Sequence, residues 1–292
     1  MDHVSSFSIY RIIMLLMTQR FTLVALTTLL VSGCFDSKPT TEQLCEEHAS
    51  LQCQQLNMRD GQCLNQREAL ILSRFEVLKS QSDLDKLDTI KATYKYQQCL
   101  TSAAQIEPIT AKEIKTKRSE ALLHTYDAID VLSLELQTSK VPKVLFYRWT
   151  TGDKQALREF LQLEGTKALE SAELQYALAT FYTQRDGNKT ILILNHSLEL
   201  LTEKDYENEL YSIIIKSLAS INHKEGNKKH AYIWALVGKE FQLQVASEKQ
   251  LDLLYQFTAE EKETLLKSSE TITKSIEAQN FHPSLLPVQI KK

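Results

Sequence analysis

The groups in this chain that could do chemistry are five cysteines, seven histidines and 37 carboxylate side chains, and their spacing sorts them. Four of the cysteines, Cys45, Cys53, Cys63 and Cys99, fall before residue 100. An even set so placed points to two disulfides in an oxidising compartment. The competing chemistry is metal binding, starting from Cys45-Glu46-Glu47-His48, but that run lacks the paired ligand spacing of a zinc module. No metal site and no cofactor is therefore expected. Glu113 with Glu120, and Asp127 with Asp130, can each share a helix face, a spacing that any solvated helix shows. Asn195-His196 and Asn222-His223 look alike but sit at different points of an internal repeat, and with His230 they read as solvent-facing or hinge residues. Trp149 and Trp234, with Phe146, Tyr147, Phe181, Tyr182 and Tyr232, could line a ligand groove; core at the repeat hinge is the preferred reading. The chain has no Gly-x-Ser-x-Gly, no His-Glu-x-x-His and no phosphate-binding glycine loop, so no catalytic residues are assigned and a non-enzyme is expected.

The fifth cysteine stands apart. Phe21 to Ser32 is a twelve-residue run without charge, preceded by Arg20 and ending in small residues. A basic flank, a short apolar core and small residues describe a secretory signal too short to span a bilayer. Ile12, Ile13, Leu15 and Leu16 would lengthen the run only by placing Arg20 inside it, and a charge at the bilayer centre costs about 2.5–3.5 kcal/mol. Met17 could itself start the signal, making residues 1–16 an upstream extension. The terminal Val31-Ser32-Gly33-Cys34, with Leu30 before it, resembles the lipobox of bacterial lipoproteins. The resemblance implies cleavage before Cys34 and lipidation of that residue. It also implies a Gram-negative cell envelope, with the protein held by its N-terminal lipid and facing the periplasm. In such lipoproteins an aspartate just after the cysteine favours inner-membrane retention; here Phe35 holds that place and Asp36 follows, and the outer membrane is favoured over the inner on frequency alone.

The formal net charge of −3 gives no reason to expect nucleic acid, and removing residues 1–33 takes it to −4. Seven Gly and five Pro in 292 residues favour an all-α chain over a sheet rich in turns. Residues 34–42 read as lipid anchor and tether, 43–107 as a Cys-containing helical segment, 108–281 as a helical repeat-like domain and 282–292 as a flexible tail.

Thr40-Thr41-Glu42-Gln43 has capping-box spacing, so a helix begins near residue 41. Two more helices run from Cys63 to Lys79 and from Leu84 to Leu100 around the turn Ser80-Gln81-Ser82-Asp83. Cys63 precedes residue 82 by nineteen positions and Cys99 follows it by seventeen, so they lie roughly level on a hairpin. That favours Cys63–Cys99 and leaves Cys45–Cys53. The second pair lies eight residues apart, about 12 Å on an unbroken helix, so it needs a break in between. Without one, Cys45–Cys63 with Cys53–Cys99, or Cys53–Cys63 with Cys45–Cys99, must hold. Further capping boxes fall at Thr110–Glu113, Ser247–Gln250 and Thr258–Glu261.

From Val144 onward the chain repeats. Phe146-Tyr147-Arg148-Trp149-Thr150-Thr151-Gly152-Asp153-Lys154 matches Phe181-Tyr182-Thr183-Gln184-Arg185-Asp186-Gly187-Asn188-Lys189, and Ser220 to Lys228 keeps the second half around Gly226. Each glycine is expected as the left-handed residue closing one helix, and Asp153, Asn188 and Asn227 as N-caps of the next. Such two-helix units resemble the tetratricopeptide superfamily, nearest its Sel-one-like branch, over residues 144–240. Ser220 departs from the pattern, standing where the other copies carry Phe146 and Phe181. The expected fold is all-α, with a disulfide-stapled helical hairpin followed by a tetratricopeptide-like array of helix pairs. The arrangement also resembles uncharacterised Gram-negative lipoproteins with a Cys-rich hairpin before helical repeats. That resemblance supports compartment and fold and supplies no activity; the helical array itself points to a protein-interaction scaffold or adaptor for an envelope protein or peptide. The alternative is a periplasmic hydrolase acting on cell-wall or peptide substrates.

Overall fold

The computed structural model describes residues 39–107 and 113–287; Cys34, its lipobox and the Thr110 capping position lie outside them. Among the described residues every regular element is helical, and no helix is long and apolar enough to cross a membrane. The chain divides into two compact units, Met1–Cys53 and Gln54–Lys292.

In the first unit, helix α1 (Thr41–Glu47) is opened by a capping box in which Thr40 and Gln43 satisfy each other's backbone amides. It stops at His48, a short 3-10 turn follows over Ala49–Leu51, and Gln52 takes a left-handed conformation. That reversal brings Cys53 back to Cys45, with Cα atoms 5.8 Å apart, and the two form a disulfide. The break required for this pairing is therefore present.

The second unit opens with the hairpin of α2 (Leu64–Ser80) and α3 (Asp83–Ala103). Gln81 ends α2 in a left-handed conformation, and the Ser82 hydroxyl accepts from the Asp85 amide to start α3. Cys63 and Cys99 are joined at the open end of the hairpin. Helix α4 (Glu113–Glu135) packs along α3, and α5 (Pro142–Thr150) completes a small core of Leu87, Ile90, Ile129, Leu136 and Val144.

Three helix pairs follow. They are α5 with α6 (Lys154–Leu161), α7 (Ala172–Tyr182) with α8 (Gly187–Glu199), and, after the short α9 (Glu203–Glu207), α10 (Leu210–Lys224) with α11 (Lys228–Glu240). α5 packs on α7, and α8 on α10. Phe160, Leu178, Ile214, Ile215, Leu218, Ile233 and Trp234 are buried in one continuous core. Helices α12 (Glu248–Leu254) and α13 (Ala259–Glu277) both start with capping boxes, and α13 packs on α11.

Two expectations need correction. Gly152 and Gly226 do have left-handed backbones, with φ of 107° and 75°. Each donates to the carbonyl three residues back, and the following residue to the carbonyl five back, so both helices end alike. Gly187 does neither. It is the first residue of α8, whose N-cap is Asp186 rather than Asn188, accepting from the Lys189 amide at 2.9 Å. A methyl on Gly187 would meet the Glu225 side chain, which lies against the start of α8; close approach, not a left-handed turn, is what glycine permits there. Asn227 holds the N-cap position of α11 without a side-chain capping bond and instead donates to Asn222.

The second correction concerns the C-terminal segment. Pro283 ends helical continuation, but residues 281–287 are docked. Phe281 is buried with its ring 5.8 Å from that of Trp234, Leu286 packs on the main core, and His230 Nε2 lies 2.8 Å from the Pro287 carbonyl. Apolar burial holds this segment where helix propensity does not.

Candidate functional site

The residues singled out by type do not converge. His196 lies between Glu170 and Glu199, His223 bonds the Tyr255 hydroxyl at 2.7 Å, and His230 meets Pro287. Burial pushes the His196 ring toward its neutral form, but the Glu170 and Glu199 carboxylates outweigh it and raise its pKa. For His230 burial prevails and the pKa falls. Glu120 is engaged by Lys117 at the surface, and Asp127 and Asp130 are exposed on α4. Among the described residues no three His, Cys, Asp or Glu side chains come together as a metal-binding group. The aromatic residues fill space: Trp149 packs between Phe146, Phe160 and Phe181, while Trp234 and Tyr232 are buried.

The geometry that does stand out is a groove along α10. On one side, facing α8 and the Thr183–Gln184 turn, is an open hollow of about 390 Å³. On the other, between α10, α11 and α12, lies a second hollow of about 310 Å³. Lys216 and Ser220 line both, so the two are continuous across the exposed face of α10. Beyond them an apolar shelf carries Val245, Ala246, Leu253 and Leu254, with Leu253 82 % exposed.

In sequence, position 220 aligns with Phe146 and Phe181, whose rings pack on Trp149. Ser220 is exposed on α10 and puts no ring over either hollow. Lys224 reaches across the first hollow to donate to the Thr183 carbonyl at 3.0 Å and to Gln184 Oε1 at 3.2 Å. Tyr255, its hydroxyl bonded to His223, lines the second together with that histidine. The shelf side is set by a close approach: a methyl on Gly238 would lie 2.7 Å from Val245 Cγ1, so glycine lets the 241–247 connection fold back against α11.

None of the groove-lining lysines and serines was singled out from sequence. Ser220 was visible only as a departure from the repeat, and that departure was the available signal.

No curated protein and no solved structure matches this chain. A model of the family described as "Protein of unknown function (DUF2989)" matches residues 31–236, which contain α10 with its lysines and Ser220 but not the apolar shelf. That match takes in well over half of the sequence, and the chain belongs to this family.

Proposed function

We propose that the protein is a lipid-anchored component of a Gram-negative cell envelope. It faces the periplasm, on the outer rather than the inner membrane, and acts as a protein-interaction scaffold through tetratricopeptide-like helical hairpins. The observation that carries the interaction reading is the groove along α10, open over two hollows and continuous with an exposed apolar shelf. Packed helix pairs form such a surface from backbone-rigid elements, and binding then needs no catalytic group.

The anchor rests on the lipobox and on two supporting facts. Both disulfides suit an oxidising compartment. The family match starts at Val31, three residues before Cys34, so the apolar run lies almost wholly outside it, in keeping with a removable signal. Each buried methylene contributes about 0.8 kcal/mol, so one acyl chain binds reversibly while two or three hold firmly.

Two measurements test the proposal. Cells fed labelled palmitate should label the protein, and Cys34→Ser should abolish the label; label that survives overturns the anchor. A photo-crosslinking amino acid in place of Ser220 should give discrete adducts in intact cells that the same probe at exposed Glu270 does not. Identical patterns at both positions overturn the scaffold.

A further inference from the structure

Resting on the scaffold reading, the groove along α10 also has a charge character that specifies its occupant. The chain as a whole is acidic, with 37 Asp and Glu against 34 Lys and Arg. Yet among the described residues no aspartate or glutamate lines either hollow or the apolar shelf, whereas Lys216, Lys224 and His223 do. Lys216 has no hydrogen bond or ion pair among the described residues, and Lys224 is held only by the neutral oxygens of Thr183 and Gln184. Two ammonium groups thus line one hollow with no ion-pair partner among the described residues, whereas Lys86, Lys115, Lys143, Lys189 and Lys239 elsewhere are each ion-paired.

The spacing narrows the ligand further. Lys216 and Lys224 are eight residues apart on one helix, about 12 Å along its axis and about a quarter turn around it, an offset that their long side chains take up within the hollow both line. An extended peptide advances about 3.3 Å per residue and returns to the same face every second residue, so side chains four positions apart lie about 13 Å apart on one face. Ser217 and Ser220, between the lysines on α10, supply neutral hydrogen-bonding groups suited to a peptide backbone. The shelf at Val245 and Leu254 offers an apolar site at one end. A lipid headgroup would concentrate its charge at one point and leave the rest of this length unused.

We propose that the groove binds an extended acidic peptide segment carrying two carboxylates four positions apart, with an apolar residue beyond them on the shelf. Charge complementarity of this kind acts on encounter and on partner choice more than on raw affinity, and it weakens with salt.

The test uses the full mature protein in detergent and two fluorescent peptides. One carries glutamates four positions apart in a Ser/Ala background with a leucine at one end; in the other both glutamates are glutamine. The glutamate peptide should bind at least about tenfold more tightly, and raising salt from 50 to 500 mM should erase most of the difference. Lys216→Glu with Lys224→Glu should remove the preference, and Ser220→Phe should block both peptides by filling the groove, with helical content unchanged by circular dichroism. Equal binding of the two peptides, or a preference that survives the double charge reversal, overturns the proposal. So does binding of phosphatidylglycerol vesicles that depends on Lys216 while neither peptide binds. Failure here is separable from failure of the scaffold: crosslinks at position 220 that persist in the Lys216→Glu variant keep the scaffold and discard the acidic ligand.

Discussion

Arg118 holds the carboxylate of Asp60, fifty-eight residues earlier in the chain, with Nε at 2.5 Å and Nη2 at 3.1 Å, and both side chains are 6 % exposed. Nη1 of the same guanidinium donates to the Ala103 carbonyl, while Asp60 also accepts from Asn57 and from the Gln62 amide. One pair thereby fastens the loop before α2, the end of α3 and the start of α4.

Removing one partner leaves the other charge buried alone. Arg118→Met should cost about 3–5 kcal/mol, and adding Asp60→Leu should recover a large part of it. Urea denaturation of the single and double variants measures both. The bond from Arg118 lowers the Asp60 pKa against the opposing effect of burial. A lowered carboxylate pKa contributes stability that is present above the unfolded value and lost as pH falls through the folded one. Acid titration below the ordinary carboxylate range should therefore unfold the protein less steeply in Asp60→Asn than in the parent.

The glycines of the repeat should separate into two classes. Alanine at Gly152 or Gly226 must take a left-handed backbone, costing about 1–2 kcal/mol each. Alanine at Gly187 meets the Glu225 side chain as far as Cγ, which can swing aside toward solvent, and it takes no left-handed backbone there. Thermal melts of the three single variants should show two losses and one near-neutral or stabilised protein. A loss at position 187 equal to the others would restore the symmetric hinge.

The two disulfides close loops of very different length, 36 and 8 residues in sequence. Loop-closure entropy alone gives about 4 kcal/mol for Cys63–Cys99 and about 2.5 kcal/mol for Cys45–Cys53. Paired Cys→Ser substitutions followed by chemical denaturation should reproduce that order. Mass mapping of non-reduced peptides should recover these pairs and no Cys45–Cys99 peptide.

Phe281 provides a test of the docked C-terminal segment. It is buried against Trp234, so Phe281→Ala should cost about 3–5 kcal/mol and raise the fluorescence sensitivity of Trp234 to soluble quencher. A substitution without effect on either measurement would show that the segment is loose.

What could be read from residues alone followed the strength of local signals. The α2–α3 hairpin was legible because Ser82 caps a helix visibly and the two cysteines lie level about the turn. The break between Cys45 and Cys53 was only a requirement of the pairing, because it rests on a left-handed glutamine, and glutamine is no turn signal. Gly187 was misassigned since a Gly-Asn match outweighed Asp186, the residue that caps α8. The docked segment escaped because prolines report local backbone limits, whereas Phe281 and Leu286 are held by contacts far away in sequence. The groove was least legible of all: it is lined by residues from α8, α10, α11 and α12 that lie far apart in sequence, and a small residue such as Ser220 has meaning only once its neighbours are placed.

The docked segment around Phe281 also decides which face of α11 is covered. Trp234 on α11 is covered by Phe281, α13 lies along α11, and the Tyr206 hydroxyl reaches back from α9 to the Ile276 carbonyl at 2.6 Å. That face of α11 is therefore covered by α13 and by residues 281–287. Any further helix packed on it would have to displace this cover and expose Trp234, so loosening residues 281–287 is the way to make a new apolar surface on this side of the molecule.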